Sequence, residues 1–459
     1  MNYSAENLAL WNIIIQLGLI AGVILLAQLL RQKLGFVRRS LMPVAVLAGF
    51  LLLILKYTGL VHIDNNMMEM LVYHGIALGF IAMSLRVPPE KTGGGDLTGL
   101  KSGAVIVSTY LVQGVVGLII TIFLGYTFLP RLFKAAGLLL PMGFGQGPGQ
   151  ANNIGSSYEA LGFAGGRSFG LSIAAAGYLV ACIVGVIILN ILTRRGKIAS
   201  RRGGADVEPT VDFFQDKNEI PVSDSIDKLS VQIAMVIVVY LVTFLVSWGI
   251  TAGLAALAPG AAATLNTLIW GFNFIIGSAL AIGVRVLLEK GKKAGLIERQ
   301  YQNNYLLNRI SGFFFDIMIV AGIASIELED IRGLWVPFLL LAVVGGIVTW
   351  LHLRYVCKKA YPGYYYEGLI SMFGMLTGTI SSGVLLLREI DPDLSTPAAN
   401  NLITGSSFGI ILGAPVLILV GLAPKSDLMC WITLALAAIY MALLVLLILK
   451  AGRKKKNTD

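Results

Sequence analysis

Charged residues are scarce in this sequence: Asp, Glu, Lys and Arg together make up 13% of 459 residues, where about a quarter is usual in soluble domains. That shortage excludes an ordinary water-soluble globule. Cysteine and histidine occur three times each. Cys182, Cys357 and Cys430 are far apart and lack any CxxC or His-linked spacing, which excludes a disulfide framework and a Cys/His metal centre. They read as free thiols, Cys182 and Cys430 in apolar runs and Cys357 in a Lys-rich loop. No His-Glu-x-x-His, Gly-x-Ser-x-Gly or paired catalytic Asp occurs in an apolar segment, so an enzyme is not expected. The glycine run at 143–149 is followed by no Lys-Ser or Lys-Thr and preceded by no strand pattern, which disfavours a P-loop and a dinucleotide fingerprint. A basic stretch before the first apolar run is missing too, so Leu8–Leu30 reads as a span and not as a cleaved signal.

What is present is apolar: 56% of the chain is hydrophobic. Runs of about twenty such residues mark membrane spans, and they fall near 9–30, 41–60, 68–86, 100–125, 168–193, 229–254, 265–288, 309–326, 334–354, 402–422 and 428–450. The expectation is an all-α polytopic membrane protein with eleven spans. The net charge of +10 is gathered in short clusters between spans, which argues for cytoplasmic loops and against nucleic acid as a partner. Alternate connections carry Arg31, Lys33, Arg38 and Arg39; Arg86, Lys91 and Lys101; Arg194, Arg195 and Lys197; Lys290, Lys292 and Lys293; Arg354, Lys358 and Lys359; and the tail Arg453, Lys454, Lys455 and Lys456. The N-terminus is therefore expected outside and the C-terminus in the cytoplasm. Lys56, Arg131, Lys134, Arg332 and Lys425 are exceptions on the outer connections.

Two stretches fit no straight span. Residues 134–157 and 362–388 mix short apolar runs with glycine and polar residues. Irregular backbone is tolerated at membrane depth only where protein or a polar cavity covers it, so each is expected to be a re-entrant hairpin, the two entering from opposite faces. Their tips, 143–157 and 374–383, are expected to converge near the bilayer midplane. "GRSFGLSI" (166–173) echoes "GSSFGIIL" (405–412), and "IAMSL" (81–85) echoes "IASIEL" (323–328). Five spans per half, with a hairpin before the fifth, make an inverted repeat. The domains are then 1–193 for the first repeat, 194–228 for a cytoplasmic linker, 229–423 for the second repeat, and 424–459 for an extra span with a basic tail.

Inverted repeats with discontinuous elements are the architecture of secondary transporters. In the first hairpin Gly145, Gly147 and Gly149 let backbone groups approach a ligand, and Pro148 frees a carbonyl upstream. Gln146, Gln150, Asn152, Asn153 and Ser156 offer neutral donors and acceptors, and Gly378, Thr379, Ser381 and Ser382 do so in the second. Small residues also serve close helix packing in membranes, but a run of amides needs buried partners. Asp316, an acidic residue inside a span, is a candidate for cation coupling; Thr377 is a weaker one. His74 and Gln113 are lesser candidates, while Glu159 and Glu389 read as facing a vestibule. Neither tip contains Lys or Arg, so an anion there needs helix N-termini, backbone N–H groups and a co-bound Na⁺.

These stretches, "LPMGFGQGPGQANNIGSSYEALGF", "SFGLSIAAAGYLVACIVG", "SLMPVAVLAGFLLLIL" and the second hairpin, resemble the bacterial sodium/glutamate symporters over roughly residues 9–422. The family has a Gly-Gly-His-Gly-Thr-Gly-Ala-Ala-like run on its first re-entrant loop. Gly143, Gly145, Gly147 and Gly149 take glycine-like places here, with Gln146 and Pro148 near the His and Thr, and Gly378-Thr379 near the Gly-Ala pair of the second loop. The resemblance implies Na⁺-coupled uptake of glutamate or a related small organic anion by two inverted five-span halves, as a homodimer with elevator-like movement. The last span departs from the family's ten-span plan and carries the C-terminus inside. An exchanger or exporter of a related carboxylate is the second reading; a channel or an intramembrane enzyme ranks below both.

Overall fold

The computed structural model describes residue 4 and residues 7–87, 98–198, 222–257, 266, 269–271, 273–296, 301–391 and 396–451. Among them there are helices and turns but no strand. Nine described helices are long and apolar enough to cross a bilayer: Leu10–Lys33, Asn65–Leu85, Thr98–Tyr126, Gly166–Arg194, Leu229–Leu257, Asn304–Ala324, Trp335–Ala360, Ala398–Lys425 and Asp427–Lys450. Their outward faces are greasy: Leu25, Ile237, Leu241, Ile347 and Leu443 each keep more than half of their surface uncovered. So much exposed aliphatic surface belongs in lipid, and the chain is a helical multi-pass membrane protein.

One of the eleven expected spans takes another form. The run near 41–60 becomes Val44–Tyr57, fourteen residues after Pro43, which reach about 21 Å against a hydrocarbon core of about 30 Å. The beginning of the run near 265–288 lies partly outside the described residues, and its remainder belongs to the helix Asn273–Lys293. Most of the linker placed at 194–228 and the basic tail also lie outside the described residues. Cys357 is not in a loop: it is fully buried near the end of the helix Trp335–Ala360. All three cysteines are free.

The chain forms two compact units, each drawn from both halves of the sequence. The first comprises Met1–Glu69, Gly95–Ala205 and Ile319–Asp459. At its centre runs Thr98–Tyr126, flanked by Ala398–Leu422, Asp427–Ala451 and Trp335–Ala360. The short turn Lys134–Leu138 lies directly against it, because Gly117 and Gly137 face each other: a Cβ on either would stand about 2 Å from the other's carbonyl group. Three polar bridges tie Thr98–Tyr126 to Trp335–Tyr361 in antiparallel order. Tyr361 donates to Ser102 Oγ at 3.0 Å, His352 Nε2 meets Ser108 Oγ at 3.0 Å, and Gln113 Nε2 donates to Thr349 Oγ1 at 2.8 Å.

The second unit comprises Met70–Gly94 and Asp206–Met318. Its core joins Ile81, Ala82 and Leu85 to Val236, Val239, Ala281, Leu307 and Ile310. A polar group sits among these helices: His74 Nδ1 lies 2.7 Å from the Tyr240 hydroxyl, which also accepts from Asn273 Nδ2 at 3.3 Å, and Tyr73 donates to Trp270 O at 2.8 Å.

Candidate functional site

The first unit contains two broken helical elements, both where glycine and polar residues interrupt apolar sequence. In the first, a single π-turn Pro141–Gly145 leads through Gln146 and Gly147 into the helix Pro148–Glu159. Gly147 is its N-cap, with φ +83° and ψ −173°, a backbone region open essentially to glycine alone. Pro148 follows at the first helical position, where its missing N–H costs nothing. The second element runs Tyr365–Thr377, stops at Gly378, and restarts as Ile380–Arg388 from an extended Thr379. Its two helices fold back against each other.

The two breaks meet. A Cβ built on Gly147 would lie 4.0 Å from Thr379 Cγ2 and 3.7 Å from the Tyr178 hydroxyl. Gly147 and Thr379 are the N-caps of their helices, and neither helix has a side-chain cap. Two helix N-termini, each carrying about half a positive charge, therefore open at one place. Beside them stands Gln113 of Thr98–Tyr126. Its Nε2 donates to Thr349 Oγ1 and to Leu376 O at 2.8 and 2.9 Å, so the residue is locked to the second break. A Cβ on Gly145 would lie 3.1 Å from Gln113 Oε1 and 2.4 Å from Tyr110 Cδ1, so only glycine permits this approach at the first break.

The polar atoms here are unusually unsatisfied. Among the described residues Gln113 Oε1, both side-chain heteroatoms of Gln150, Asn152 Oδ1, Thr379 Oγ1 and Ser382 Oγ are buried without a hydrogen-bond partner. Gln113 is fully buried, while Gln150 and Asn152 are 1% and 3% exposed. Leaving a buried polar group unmade costs about 1–3 kcal/mol, and six such atoms on the elements that form the breaks suit a polar ligand that supplies both donors and acceptors.

Of the residues singled out in the sequence, Gly145, Gly147, Gly149, Gln150, Asn152, Asn153, Gly378 and Ser382 are buried at or near the breaks, and Gln146 and Thr379 are half-buried. Ser156 lies nine residues beyond Gly147, about 13 Å along the helix, too far to share a ligand with the cap. Ser381 is exposed. Thr377 is buried, its hydroxyl donates to Phe373 O at 2.7 Å one turn back, and its carbonyl oxygen lies against Gly177, 2.4 Å from where a Cβ there would stand. Asp316 belongs to the second unit, on Asn304–Ala324, where it is exposed and has no hydrogen-bond or ion-pair partner among the described residues. Tyr110 and Tyr178 emerge only from the structure. Tyr110 stands three residues before Gln113, one helical turn away, which is the single trace of it in the sequence. No group of three or more His, Cys, Asp or Glu gathers among the described residues, so a cation at the breaks would rest on carbonyl and hydroxyl oxygens. Compared with models of known protein families and with curated protein sequences, the chain matches none.

Proposed function

We propose that the protein is a secondary transporter coupling inward Na⁺ movement to uptake of a small organic anion, glutamate or a related acidic amino acid or carboxylate. The observation that carries this reading is the meeting of two uncapped helix N-termini, at Gly147 and Thr379, among buried polar atoms that lack partners. Together the two termini offer about one unit of positive charge, enough to balance one carboxylate without any Lys or Arg. A second carboxylate, or the cost of desolvation, then calls for a cation beside the anion. Carbonyls of the last turn of Tyr365–Thr377 other than Leu376 O, which Gln113 holds, lack helical partners and offer hard oxygen ligands for Na⁺. The likeness of the first broken element to that of the sodium/glutamate symporters supports the same assignment. Gln113 Oε1, a pure acceptor whose amide N–H groups are engaged, suits an ammonium or hydroxyl on the transported molecule.

On this reading the broken elements are re-entrant hairpins of an inverted repeat whose tips meet near the bilayer midplane. The echoes "GRSFGLSI" and "GSSFGIIL" lie on the helices that follow them, Gly166–Leu179 and Ala398–Leu422. The protein then works in a bacterial inner membrane as a homodimer, N-terminus outside and C-terminus inside.

The test is reconstitution in proteoliposomes with an imposed Na⁺ gradient and a panel of labelled carboxylates beginning with glutamate. Saturable uptake that collapses when choline replaces Na⁺ is expected. Uptake that depends on internal carboxylate but not on Na⁺ would assign an exchanger, and non-saturating conductance a channel.

A further inference from the structure

Three of the five cations that break the charge bias of the connecting loops share a location. Arg131, Lys134 and Arg332 all line one cavity of about 1040 Å³ in the first unit, formed by the chain at 128–135, 162–165, 330–334 and 423–430. Lys134 is engaged: it pairs with Asp427 and lies 4.2 Å from the centroid of the Tyr126 ring. Asp330, also at the cavity, accepts from Ser168 Oγ at 2.8 Å. Arg131 and Arg332 are different. Both are exposed, and neither has an ion-pair partner among the described residues. The wall between these charges is apolar, with Phe133 stacked on Phe163 at 5.1 Å between ring centroids. Lys134 and Asp427 cancel and Asp330 offsets one of the two arginines, so the lining keeps one net positive charge, and low-dielectric walls focus such a field inside a cleft and raise the local concentration of counter-ions. A guanidinium fork matches a carboxylate in two parallel hydrogen bonds.

We propose that this cavity is a collecting site for small carboxylates, bound between Arg131 and Arg332, distinct from the site at the helix breaks. That the collected anion is then handed on rests on the transport reading above. A cavity of this volume, at the upper end of small-ligand pockets, holds such an anion loosely. Its contribution is therefore to capture rate and not to final affinity, and it does not need Na⁺. The same oxyanion chemistry is offered by an anionic lipid headgroup, so the lipid must be controlled.

The experiment is arginine modification by phenylglyoxal, read at Arg131 and Arg332 by mass spectrometry on the full chain in nanodiscs of phosphatidylcholine, with choline in place of Na⁺. Succinate is expected to slow modification of both residues several-fold, while uncharged succinamide has no effect. In Arg131→Gln the protection of Arg332 should be lost. Equal labelling with and without succinate, or failure of both arginines to label at all, overturns the proposal. So does protection that appears when phosphatidylglycerol is added and leaves nothing further for succinate to do, which would make this a headgroup site. Protection by succinate in a protein that takes up no carboxylate would leave this site standing and remove the transport reading instead.

Discussion

At Gly147 the backbone takes a turn that an alanine cannot follow without strain, φ +83° with ψ −173°, at roughly 1–3 kcal/mol. Gly147→Ala is expected to lower the melting temperature modestly and to remove substrate binding, because the Cβ also enters the space before Thr379. Gly59, at φ +74° with open space around it, supplies the comparison: Gly59→Ala should lose similar stability yet transport normally. Equal uptake by both variants would place the substrate elsewhere. Gln113→Leu tests the other wall. It leaves Leu376 O unpaired, at about 1–3 kcal/mol, and deletes the free acceptor, so both melting temperature and uptake should fall. A variant that keeps wild-type glutamate affinity, measured by calorimetry in Na⁺, would exclude Gln113 from the site.

Among the elements, the connections on one side of the first unit are joined by charge. Glu327 accepts from Lys56 at 2.8 Å and from Asn65 and Tyr57, and so ties the end of Val44–Tyr57 and the start of Asn65–Leu85 to the turn before Trp335–Ala360. Burial pushes the Glu327 carboxyl up, but hydrogen bonds from Lys56 and Asn65, the Lys56 charge and the Tyr57 hydroxyl outweigh it and hold the group below its usual value of 4.5. A depressed carboxyl stabilises the fold fully above its unfolded value and loses that contribution as pH falls through the folded one. The melting temperature of wild type should therefore drop more steeply than that of Glu327→Gln as pH is lowered past 4.5; parallel curves would show that the ion pair adds nothing. How much of this was legible follows from what local pattern encodes. Long apolar runs announced nine helices, and the Gly-Pro and Gly-Thr interruptions marked both breaks, because propensity and periodicity are written in neighbouring residues. Val44–Tyr57 was over-read, since hydropathy cannot tell where Pro43 and the turn before it shorten a helix. The partners Gln113–Leu376 and Lys56–Glu327 lie more than 260 residues apart, and no local pattern carries such a pairing. Ser156 has suitable chemistry, but helix rise sets it about 13 Å beyond the cap.

For the molecule as a whole, the transport reading proposed above, with no formal cation at the breaks, requires substrate affinity to depend on Na⁺. Glutamate affinity measured across a Na⁺ series should steepen in proportion to the ion bound with it, and a flat series would remove the coupling from this site. Asp316, a carboxylate in a membrane-spanning helix with no partner among the described residues, is a separate point of leverage, because such a group is costly unless an ion, a proton or water meets it. Asp316→Asn should weaken Na⁺ activation of uptake while leaving the melting temperature nearly unchanged; unaltered activation would make the residue incidental to coupling. The antiparallel bridges Ser102–Tyr361, Ser108–His352 and Gln113–Thr349 carry a mechanical consequence. Three rungs between two helices act as a pawl: a slip of one helical turn, about 5.4 Å, would disengage all of them together, with no intermediate register to catch the helices. The pair therefore resists shear by about three hydrogen bonds, each worth roughly 1 kcal/mol, and favours tilting or translating as one piece, with a tyrosine hydroxyl at one end and at the other the glutamine that lies against both breaks.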